Sequence, residues 1–425
     1  MNVTEALTYI HSVCWKGSIP GLSRTKELLA RMGNPEKRLR FVHIAGTNGK
    51  GSTAAMIASV LQKAGYRTGL YTSPYLFRFH ERMKVNGEDI TDGELAEITQ
   101  WVKPHAEAME DHPTEFELVT AIAMEYFARQ RCDIVVLEVG MGGEWDSTNV
   151  IDPPEAAVIC NLGLDHTEVL GDTLEKIARA KAGIIKPGCP VVLYRNTPSV
   201  EAVFEAACRE RGAELYKVDF QALHAGAHSF MGQTFDFGAR TGLQIPLLGA
   251  HQLCNAAVAV TAVDCLIRRG WRISEENIRQ GLRDVTWPGR FELLRRSPDF
   301  IVDGGHNPQC LEALAQNVRD YLAGRDITAL TGVMADKDYT HMYATMAPLV
   351  SRFVTVTPDN PRAMAAEKLR EILLPFGKPV TACASVAEGV EQAIRQAGAQ
   401  GLVLAFGSLY LVGDVRKTVL EHSFE

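Results

Sequence analysis

A glycine-rich run near the N-terminus combines residue types that bind phosphate groups. The run Gly46-Thr-Asn-Gly-Lys-Gly-Ser52 separates an apolar stretch, residues 40–45, from a stretch with helical periodicity, residues 52–64. At a strand-to-helix turn, glycines let the backbone approach phosphate oxygens, and the helix start offers free N–H groups and a positive dipole end. Lys50 adds a positive charge for the outer phosphates, and Ser52 adds a hydroxyl near a magnesium ion.

The spacing of this run departs from the common phosphate-loop pattern GxxxxGKS/T, because Gly51 separates Lys50 from Ser52. A glycine-rich turn that binds nothing is the alternative. We favour ATP binding, since the strand, the lysine, the hydroxyl and the helix stand where phosphate binding requires them. The loop residues expected to contact the nucleotide are Thr47, Asn48, Gly49, Lys50, Gly51 and Ser52.

Three further polar residues follow apolar stretches that are typical of strands. They are Ser73, Glu138 and His166. Strand ends in an open parallel sheet converge on one crevice, and Mg²⁺ that accompanies ATP prefers hard ligands. Ser73 as a helix cap and His166 as a core histidine remain alternatives. A purely structural role is harder to assign to Glu138, because burying an unpaired carboxylate on a strand costs free energy.

Lys181 lies in a predicted helix with a basic last turn, within residues 173–186. From residue chemistry alone, a solvated or ion-paired lysine is the expectation.

Apolar runs bounded by Gly, Pro and Asp alternate with helical stretches along the chain, which predicts a mostly parallel sheet. The predicted strands are residues 40–45, 133–139, 156–161, 190–194, 300–303, 327–333, 353–357 and 402–406. Residues 218–248 resemble a small antiparallel appendage, with helices resuming at Gln252. A chain of 425 residues favours two domains, and Trp287-Pro-Gly289 is the expected joint.

The predicted fold class is therefore α/β with two domains of unequal size. We expect an N-terminal nucleotide-binding domain with a mostly parallel sheet over residues 1–288, and a smaller Rossmann-like domain over residues 289–425.

Composition excludes several classes of protein. A formal charge of −7 argues against general nucleic-acid binding, so a small-molecule substrate fits better. No uninterrupted apolar stretch reaches the roughly 18 residues of a membrane helix, and a signal-peptide pattern is missing, so we expect a cytoplasmic protein. The nine cysteines form no C-x-x-C pair, which favours buried thiols over a zinc or disulfide site.

A series of motifs extends in order over nearly the whole chain. They are AGTNGKGS (45–52), YTSPYL (71–76), ERMKVNG (81–87), EVGMGG (138–143), DSTNVI (146–151), LDHTEVLG (164–171), KAGIIKPG (181–188), GAHQLCNAA (249–257), WPGRFE (287–292), DGGHNP (303–308) and FGSLYLVG (406–413). Taken together and in this order, the motifs resemble the folylpolyglutamate synthase family, including its bifunctional dihydrofolate synthase form, in the Mur ligase superfamily.

The resemblance implies an ATP-dependent carboxylate–amine ligase that forms ADP. A folate carboxylate would become an acyl phosphate, and L-glutamate would then displace phosphate to form an amide. The implied magnesium ligands are Ser73, Glu138 and His166, and Lys181 is implied to be carbamylated. The implied nucleotide contacts outside the loop are Asn255, Arg290, Asp303 and His306, and the implied catalytic residues are Lys181, Lys50 and His306.

The resemblance also implies sites for the two other substrates. For the folate, the matching segments are residues 20–24 and 114–117, with Thr114, Phe116 and Glu117 as contacts, although Phe116 is equally expected in the core. The C-terminal domain would bind glutamate, with Ser408, and more weakly Arg362, as candidates. Many bifunctional members have GGRxD where this chain has Gly-Gly-Glu144-Trp-Asp, which argues against the dihydrofolate synthase activity.

Two alternative functions remain at this stage. A Mur-type ligase of cell-wall precursors would carry a further N-terminal domain, and the phosphate loop here begins already at Gly46. A switch that uses ATP without ligation would need no glutamate. We expect a monomer, since a two-domain ligase needs no partner chain to complete its site.

Overall fold

The computed structural model describes residues 1–13, 17 and 19–421, so Cys14 lies outside the described residues. The chain forms two compact units. The first, called the N-terminal unit below, comprises Met1–His224, Asp236–Gln244 and Cys254–Val285. The second, the C-terminal unit, comprises Ala225–Phe235, Ile245–Leu253 and Thr286–Glu425.

The sheet of the N-terminal unit has eight strands in the order β4-β3-β2-β5-β1-β6-β7-β8. Their bounds are β1 Phe41–Ala45, β2 Thr68–Tyr71, β3 Met83–Val85, β4 Glu88–Asp89, β5 Ile134–Glu138, β6 Ala156–Ile159, β7 Val191–Leu193 and β8 Leu215–Lys217. All neighbouring pairs are parallel except β2–β3 and β3–β4, which form the antiparallel edge. The central strands β1, β5 and β6 are fully buried, as expected for a parallel sheet covered on both faces.

Helices cover this sheet, and several of them start after a residue whose side chain caps the helix. The bounds are α1 Val3–His11, α2 Ser23–Arg31, α3 Lys50–Lys63, α4 Asp92–Glu107, α5 Glu115–Arg129, α6 Thr167–Leu170, α7 Leu174–Ala182 and α8 Pro198–Arg211. Thr91 and Thr114 each accept a hydrogen bond from the backbone N–H three residues on, and the glutamate there bonds back. These reciprocal bonds satisfy N–H groups that a helix start otherwise leaves unpaired.

A small sheet follows, in the order β11-β10-β9, with β9 Leu223–Ser229, β10 Gly232–Phe237 and β11 Arg240–Ile245. Two-residue connections between paired strands require antiparallel pairing, so the expected appendage is present. Helices α9 Ala250–Arg268 and α10 Glu275–Arg283 come next. Among the described residues, α9 alone is long and apolar enough to cross a membrane by composition, but 67% of its apolar window is buried inside the protein, as in an ordinary core helix.

The C-terminal unit contains a six-stranded sheet in the order β12-β13-β17-β14-β15-β16. The strands are β12 Glu292–Arg295, β13 Asp299–Asp303, β14 Ile327–Thr331, β15 Arg352–Thr355, β16 Val380–Ala382 and β17 Leu402–Phe406. The helices are α11 Pro308–Tyr321, α12 Tyr339–Met346, α13 Ala366–Leu373, α14 Val386–Ala397 and α15 Leu409–Glu421. Only the edge pair β12–β13 is antiparallel among the pairs described.

The predicted α/β class, with mostly parallel sheets, is confirmed. Helices α3 and α9 each begin two residues earlier than expected. Helix α3 begins at Lys50 and not at residue 52, and α9 begins at Ala250 and not at Gln252. Short edge strands such as β4 and β16 escaped prediction, because two or three residues show no measurable periodicity. The cysteines within the described residues are free and mostly buried, as expected.

Candidate active site

Sheet register brings the ends of several strands of the N-terminal unit to one edge. In β1, Ile44 lies beside Glu138 of β5, and Ala45 lies beside Ile159 of β6. In β2, Tyr71 lies beside Leu137 of β5. Because these pairs are all parallel, the segments that follow β1, β2, β5 and β6 leave the sheet on the same side.

The phosphate loop occupies the turn from β1 to α3. Gly49 caps α3 with a left-handed backbone, φ 83°, which a residue with a Cβ adopts only under strain. The N–H groups of Thr47 and Asn48 donate to the carbonyl of Asn161 at 2.8 and 3.1 Å, and this fixes the start of the loop to the end of β6. The free N–H groups at the start of α3 and its dipole then face the space beyond the loop, as an anion site requires.

Glu138, Ser73 and Lys50 come together at this edge. Glu138 is 4% exposed, and its carboxylate accepts a hydrogen bond from the backbone N–H of Ser73 at 3.2 Å. The ammonium of Lys50 lies 3.8 Å from the same carboxylate and donates to the carbonyl of Thr47 at 3.2 Å. The buried carboxylate is therefore compensated by a cation and a backbone donor, which offset part of the cost of burying it. Ser73 lies in a loop and does not cap a helix.

Lys181 points into the same region from α7. Its side chain is buried, with 3% of the residue exposed, and Nζ donates to the carbonyl of Gly46 at 2.8 Å. Burial, and to a smaller extent the positive charge of Lys50, lower the pKa of this lysine to about 7, while Asp165 and Asp146 act in the opposite sense. The solvated lysine favoured by residue chemistry alone is wrong, because a basic last turn does not reveal which neighbour covers it.

The turn after β5 holds α7 in place. A Cβ on Gly143 would lie 2.9 Å from the carbonyl oxygen of Ala180, so only glycine allows the turn to approach the helix this closely. The buried side-chain amide of Asn149 donates to the carbonyls of Glu144 and Gly183, both at 3.1 Å. These contacts join the turn to the end of α7 and so fix the helix that carries Lys181.

A buried polar network supports the same turn. Asp146 accepts hydrogen bonds from the N–H of Met141 at 2.9 Å and from the N–H of Thr148 at 3.0 Å. The Thr148 hydroxyl also lies 2.9 Å from Nε2 of His43, a fully buried residue whose pKa is lowered to about 3, chiefly by burial. The sequence predicts no role for Asp146 or Thr148, although both lie in the motif DSTNVI (146–151), whose acidic residue is the available signal.

Asn255, on α9, packs against the phosphate loop. A Cβ added to Gly49 would collide with the side-chain amide of Asn255, which is itself buried. Asn255 therefore lies beside the loop, while its contact with a nucleotide stays a prediction.

The C-terminal unit contains a second charged cluster, formed by the turn after β13 and by Arg290. Asp303 is buried and accepts hydrogen bonds from the N–H groups of Phe291, at 2.9 Å, and Gly305, at 2.8 Å. Burial raises the pKa of Asp303, and the charge of Arg290 together with these two donors opposes the rise. His306 lies on the same turn, with Nδ1 2.8 Å from the carbonyl of Gly304.

Comparison with known proteins places this geometry in a family. The Mur ligase middle domain matches residues 44–263, and the Mur ligase glutamate ligase domain matches residues 289–409. The "Dihydrofolate synthase/folylpolyglutamate synthase" of Bacillus subtilis is 38% identical over 97% of this chain and 98% of its own length. The chain belongs to the folylpolyglutamate synthase family of Mur ligases.

Two further relatives agree with this assignment. The "Folylpolyglutamate synthase" of Lacticaseibacillus casei is 36% identical over 99% of both chains. The solved structure of E. coli FolC in complex with DHPP and ADP superposes with a TM-score of 0.87 at 30% identity, covering 99% of this chain and 98% of that one. The family likeness thus extends over both units.

Of the magnesium ligands that the family implies, the structure brings together Ser73 and Glu138. His166 takes a left-handed backbone, φ 51°, at the start of α6, and its side chain is exposed, so it is not a core histidine. Within the described ranges no cluster of three His, Cys, Asp or Glu residues suits a metal. The implied set differs from such a cluster, because it includes the hydroxyl of Ser73.

The folate candidates of the family lie at the start of α5. Thr114 and Glu117 form the capping box, with Glu117 accepting from the N–H of Thr114 at 2.7 Å. Glu117 also accepts from Nε of Arg24 at 2.9 Å, and both side chains are buried. Thr114 and Glu117 therefore both have a structural role at the start of α5. Phe116 is half-buried and its ring fills the space beside Gly140, two residues beyond Glu138.

The glutamate candidates differ in burial. Ser408 is 1% exposed, and its hydroxyl accepts from the N–H of Tyr410 at 3.2 Å at the start of α15. Arg362 is exposed and lies 3.2 Å from Asp336, in an ion pair at the surface. Neither contact identifies a substrate site by itself.

Proposed function

We propose that this chain is an ATP-dependent ligase that joins L-glutamate to a carboxylate of a folate, most directly a tetrahydrofolate, with release of ADP and phosphate. Lys181 carries the proposal: an ordinary phosphate-loop switch has no need of a buried lysine that donates to the first residue of the loop. The relatives' names supply the substrates, since both curated relatives are folylpolyglutamate synthases.

In the proposed reaction a folate carboxylate attacks the γ-phosphorus of ATP, and the bond to the β-phosphate oxygen breaks to release ADP. The amino group of glutamate then attacks the acyl phosphate, phosphate leaves, and an amide remains. Lys50 and the N–H groups at the start of α3 would offset the negative charge that gathers as two anions approach. The contribution of the protein is therefore electrostatic positioning, with Asn255 fixing the loop from the side.

The residues at the strand ends fit a magnesium ion. The carboxylate of Glu138 and the hydroxyl of Ser73 are hard oxygen donors beside the phosphate loop, and we propose that they bind Mg²⁺ together with His166. When bound, Mg²⁺ would neutralise charge on the phosphate oxygens.

We also propose that Lys181 is carbamylated. Its neutral amine would react with CO₂ to give an N-carbamate with release of a proton, turning a buried cation into an anionic oxygen donor. A pKa near 7 supports this chemistry, because the reacting form is the neutral amine.

For the C-terminal unit we propose nucleotide contacts from Arg290, Asp303 and His306, and glutamate binding with Ser408 as a candidate. His306 is the catalytic candidate of this set. We propose the domain limits 1–288 and 289–425, a monomeric state and a cytoplasmic location, with small molecules, not nucleic acid or a membrane, as partners.

A second activity, addition of glutamate to dihydropteroate, is favoured by one observation. The B. subtilis relative carries both activities in its name. Against it stands Glu144, an exposed acidic residue where many bifunctional members have arginine. The charge at this position is unfavourable for an anionic substrate.

An ATP-consumption assay tests both activities. ADP release is measured with glutamate present or omitted, and with tetrahydrofolate, its one-carbon derivatives or dihydropteroate as acceptor. We expect ADP release that requires both glutamate and a tetrahydrofolate. ADP release without glutamate would identify a switch, and release with dihydropteroate would establish the second activity.

A further inference from the structure

A buried polar group in the C-terminal unit lies beside the residues that precede α9. The side-chain amide of Gln233, on β10, donates from Nε2 to the carbonyls of Leu247 at 2.7 Å and Gly249 at 2.9 Å. Its Oε1 accepts from the hydroxyl of Tyr321 on α11 at 3.4 Å. Gln233 is buried, so one amide replaces water for two backbone carbonyls.

The backbone held by Gln233 has little freedom. Gly249 has φ 103°, and a Cβ there would collide with the side-chain amide of Asn317 and lie 2.8 Å from Cε1 of His251. A side chain at this position is excluded by conformation and by space alike. The turn before α9 is therefore held by the hydrogen bonds of Gln233 and packed closely against Asn317.

His251 is the second residue of α9 and lies next to the turn that Gln233 holds, against Gly249. Burial and, to a smaller extent, the charge of Arg290 in the same unit lower the pKa of His251 to about 4. A Cβ on Gly304 would lie 2.8 Å from Nη1 of Arg290. Arg290 therefore lies beside the Asp303 turn, and these residues together with His251 are here called the C-terminal half-site.

The same hairpin also anchors Arg290. Phe230, in the connection between β9 and β10, stacks on Phe291 with ring centroids 6.3 Å apart and planes 16° apart. Tyr321 packs against both rings, at 5.8 and 5.6 Å. Phe291, which follows Arg290, is therefore packed against the hairpin that carries Gln233. Tyr321 contacts both Gln233 and the two phenylalanine rings.

We propose that Gln233 is a positioning residue for ATP. Its amide fixes the turn before α9, so that His251 and Arg290 stand in one arrangement before the nucleotide arrives. Preorganisation of this kind strengthens binding because the ordering cost is met during folding. The inference depends on the proposed function in one respect: it takes the nucleotide to be the ligand of the C-terminal half-site.

The test replaces Gln233 with methionine, which keeps side-chain length but removes both donors. We expect the Kd for ADP, measured by calorimetry on the full chain, to rise about tenfold. The KM for ATP should rise in parallel, whereas kcat at saturating ATP and the KM for the folate stay within about twofold. Tyr321→Phe, which removes only the hydroxyl bonded to Gln233, should give a smaller rise in the same direction.

Thr355→Val is the matched control. The Thr355 hydroxyl is buried in the same unit and donates to the carbonyl of Ala366 at 2.9 Å, so its loss destabilises the fold without touching the turn. The proposal is overturned if folded Gln233→Met and Tyr321→Phe proteins bind ADP like the wild type, or if Thr355→Val weakens ADP binding equally. If the wild type releases no ADP in response to glutamate while Gln233→Met still weakens ADP binding, the proposed function fails and the positioning role stands.

Discussion

The two units bring charged side chains together in different ways. In the N-terminal unit, Glu138, Lys50 and Lys181 come from β5, α3 and α7, which are far apart in sequence and meet only because of the sheet order. In the C-terminal unit, Asp303 ends β13 and His306 lies in the turn that follows. Arg290 comes shortly before β12, the strand that precedes β13 in the chain. The first cluster depends on tertiary register, and the second is largely local.

The charge balance of the two clusters also differs. In the N-terminal unit, Lys50 pairs with the buried carboxylate of Glu138, and Lys181, whose pKa is lowered by burial and by the charge of Lys50, donates to a backbone carbonyl. In the C-terminal unit the buried group is a carboxylate, Asp303, which two backbone donors and one arginine stabilise. We propose that the N-terminal unit supplies most of the reactive groups, and that the C-terminal half-site mainly supplies orientation, with His306 as its one catalytic candidate. The following predictions test that division.

The largest effect is expected from Lys181→Met. Loss of the amine removes both the contact to the phosphate loop and the proposed carbamate, so kcat should fall by about a hundredfold or more. The fall is measured as glutamate-dependent ADP release. In addition, a protein equilibrated with ¹³C-labelled CO₂ should show a carbamate signal by NMR that is missing in this variant.

Lys186 provides the control for this experiment. Lys186 is half-buried and, like Lys181, has a lowered pKa, about 8, mainly through burial, but its ammonium donates to the carbonyl of Asn149 at 2.9 Å and not to the phosphate loop. Lys186→Met should retain the carbamate signal. If the signal survived in Lys181→Met and vanished in Lys186→Met, Lys186 and not Lys181 would be the carbamylated residue, and the proposal would be wrong.

Glu138→Gln should have the next largest effect. The amide keeps the shape of the carboxylate but removes its charge, so a hard cation loses its strongest ligand. We expect the Mg²⁺ concentration for half-maximal activity to rise about a hundredfold. An unchanged magnesium titration would remove Glu138 from the metal site.

Arg290→Lys probes the C-terminal half-site. Lysine retains the charge but lacks the planar fork that binds phosphate at two points, so the KM for ATP should rise about tenfold with a smaller change in kcat. Arg352→Lys, at an ion pair with Asp326 in the same unit, should leave both constants unchanged. If kcat fell as far as in Lys181→Met, the division between reactive and orienting units would be wrong.

Several features of the fold and site follow from local sequence. The strands ending at Ala45 and Glu138, the phosphate loop and the small appendage were predictable, since apolar runs and glycine-rich turns act over a few residues. The motifs predicted the family, and the comparisons confirm it.

Other features depend on which elements become neighbours, and no local pattern records that. The burial of Lys181 depends on the approach of α7 to the β5 turn, and the role of Glu117 in a buried pair depends on Arg24, 93 residues earlier. The role of Gln233 is equally difficult to predict from sequence, because a glutamine on a short strand is ordinarily solvated. Single polar residues that become buried are therefore the part of a site that sequence predicts least.

The pH dependence of carbamylation tests the cause of the Lys181 shift. Only the neutral amine reacts with CO₂, so without Mg²⁺ the ¹³C carbamate signal should be lost as the pH falls through about 7. The charge of Lys50 favours the neutral form of Lys181, so Lys50→Gln should raise the pKa of Lys181 and move this loss to higher pH. A shift to lower pH would contradict the electrostatic account.

The smallest effect is expected from Phe116→Leu, which compares the edge of the site with the core of the same helix. Phe116 is half-buried beside Gly140, so losing its ring should raise the KM for the folate a few-fold through lost stacking, with the KM for ATP unchanged. Phe127→Leu removes a fully buried ring further along α5 and should lower the melting temperature without changing either KM. If Phe116→Leu behaved like Phe127→Leu, Phe116 would belong to the core and the folate would bind elsewhere.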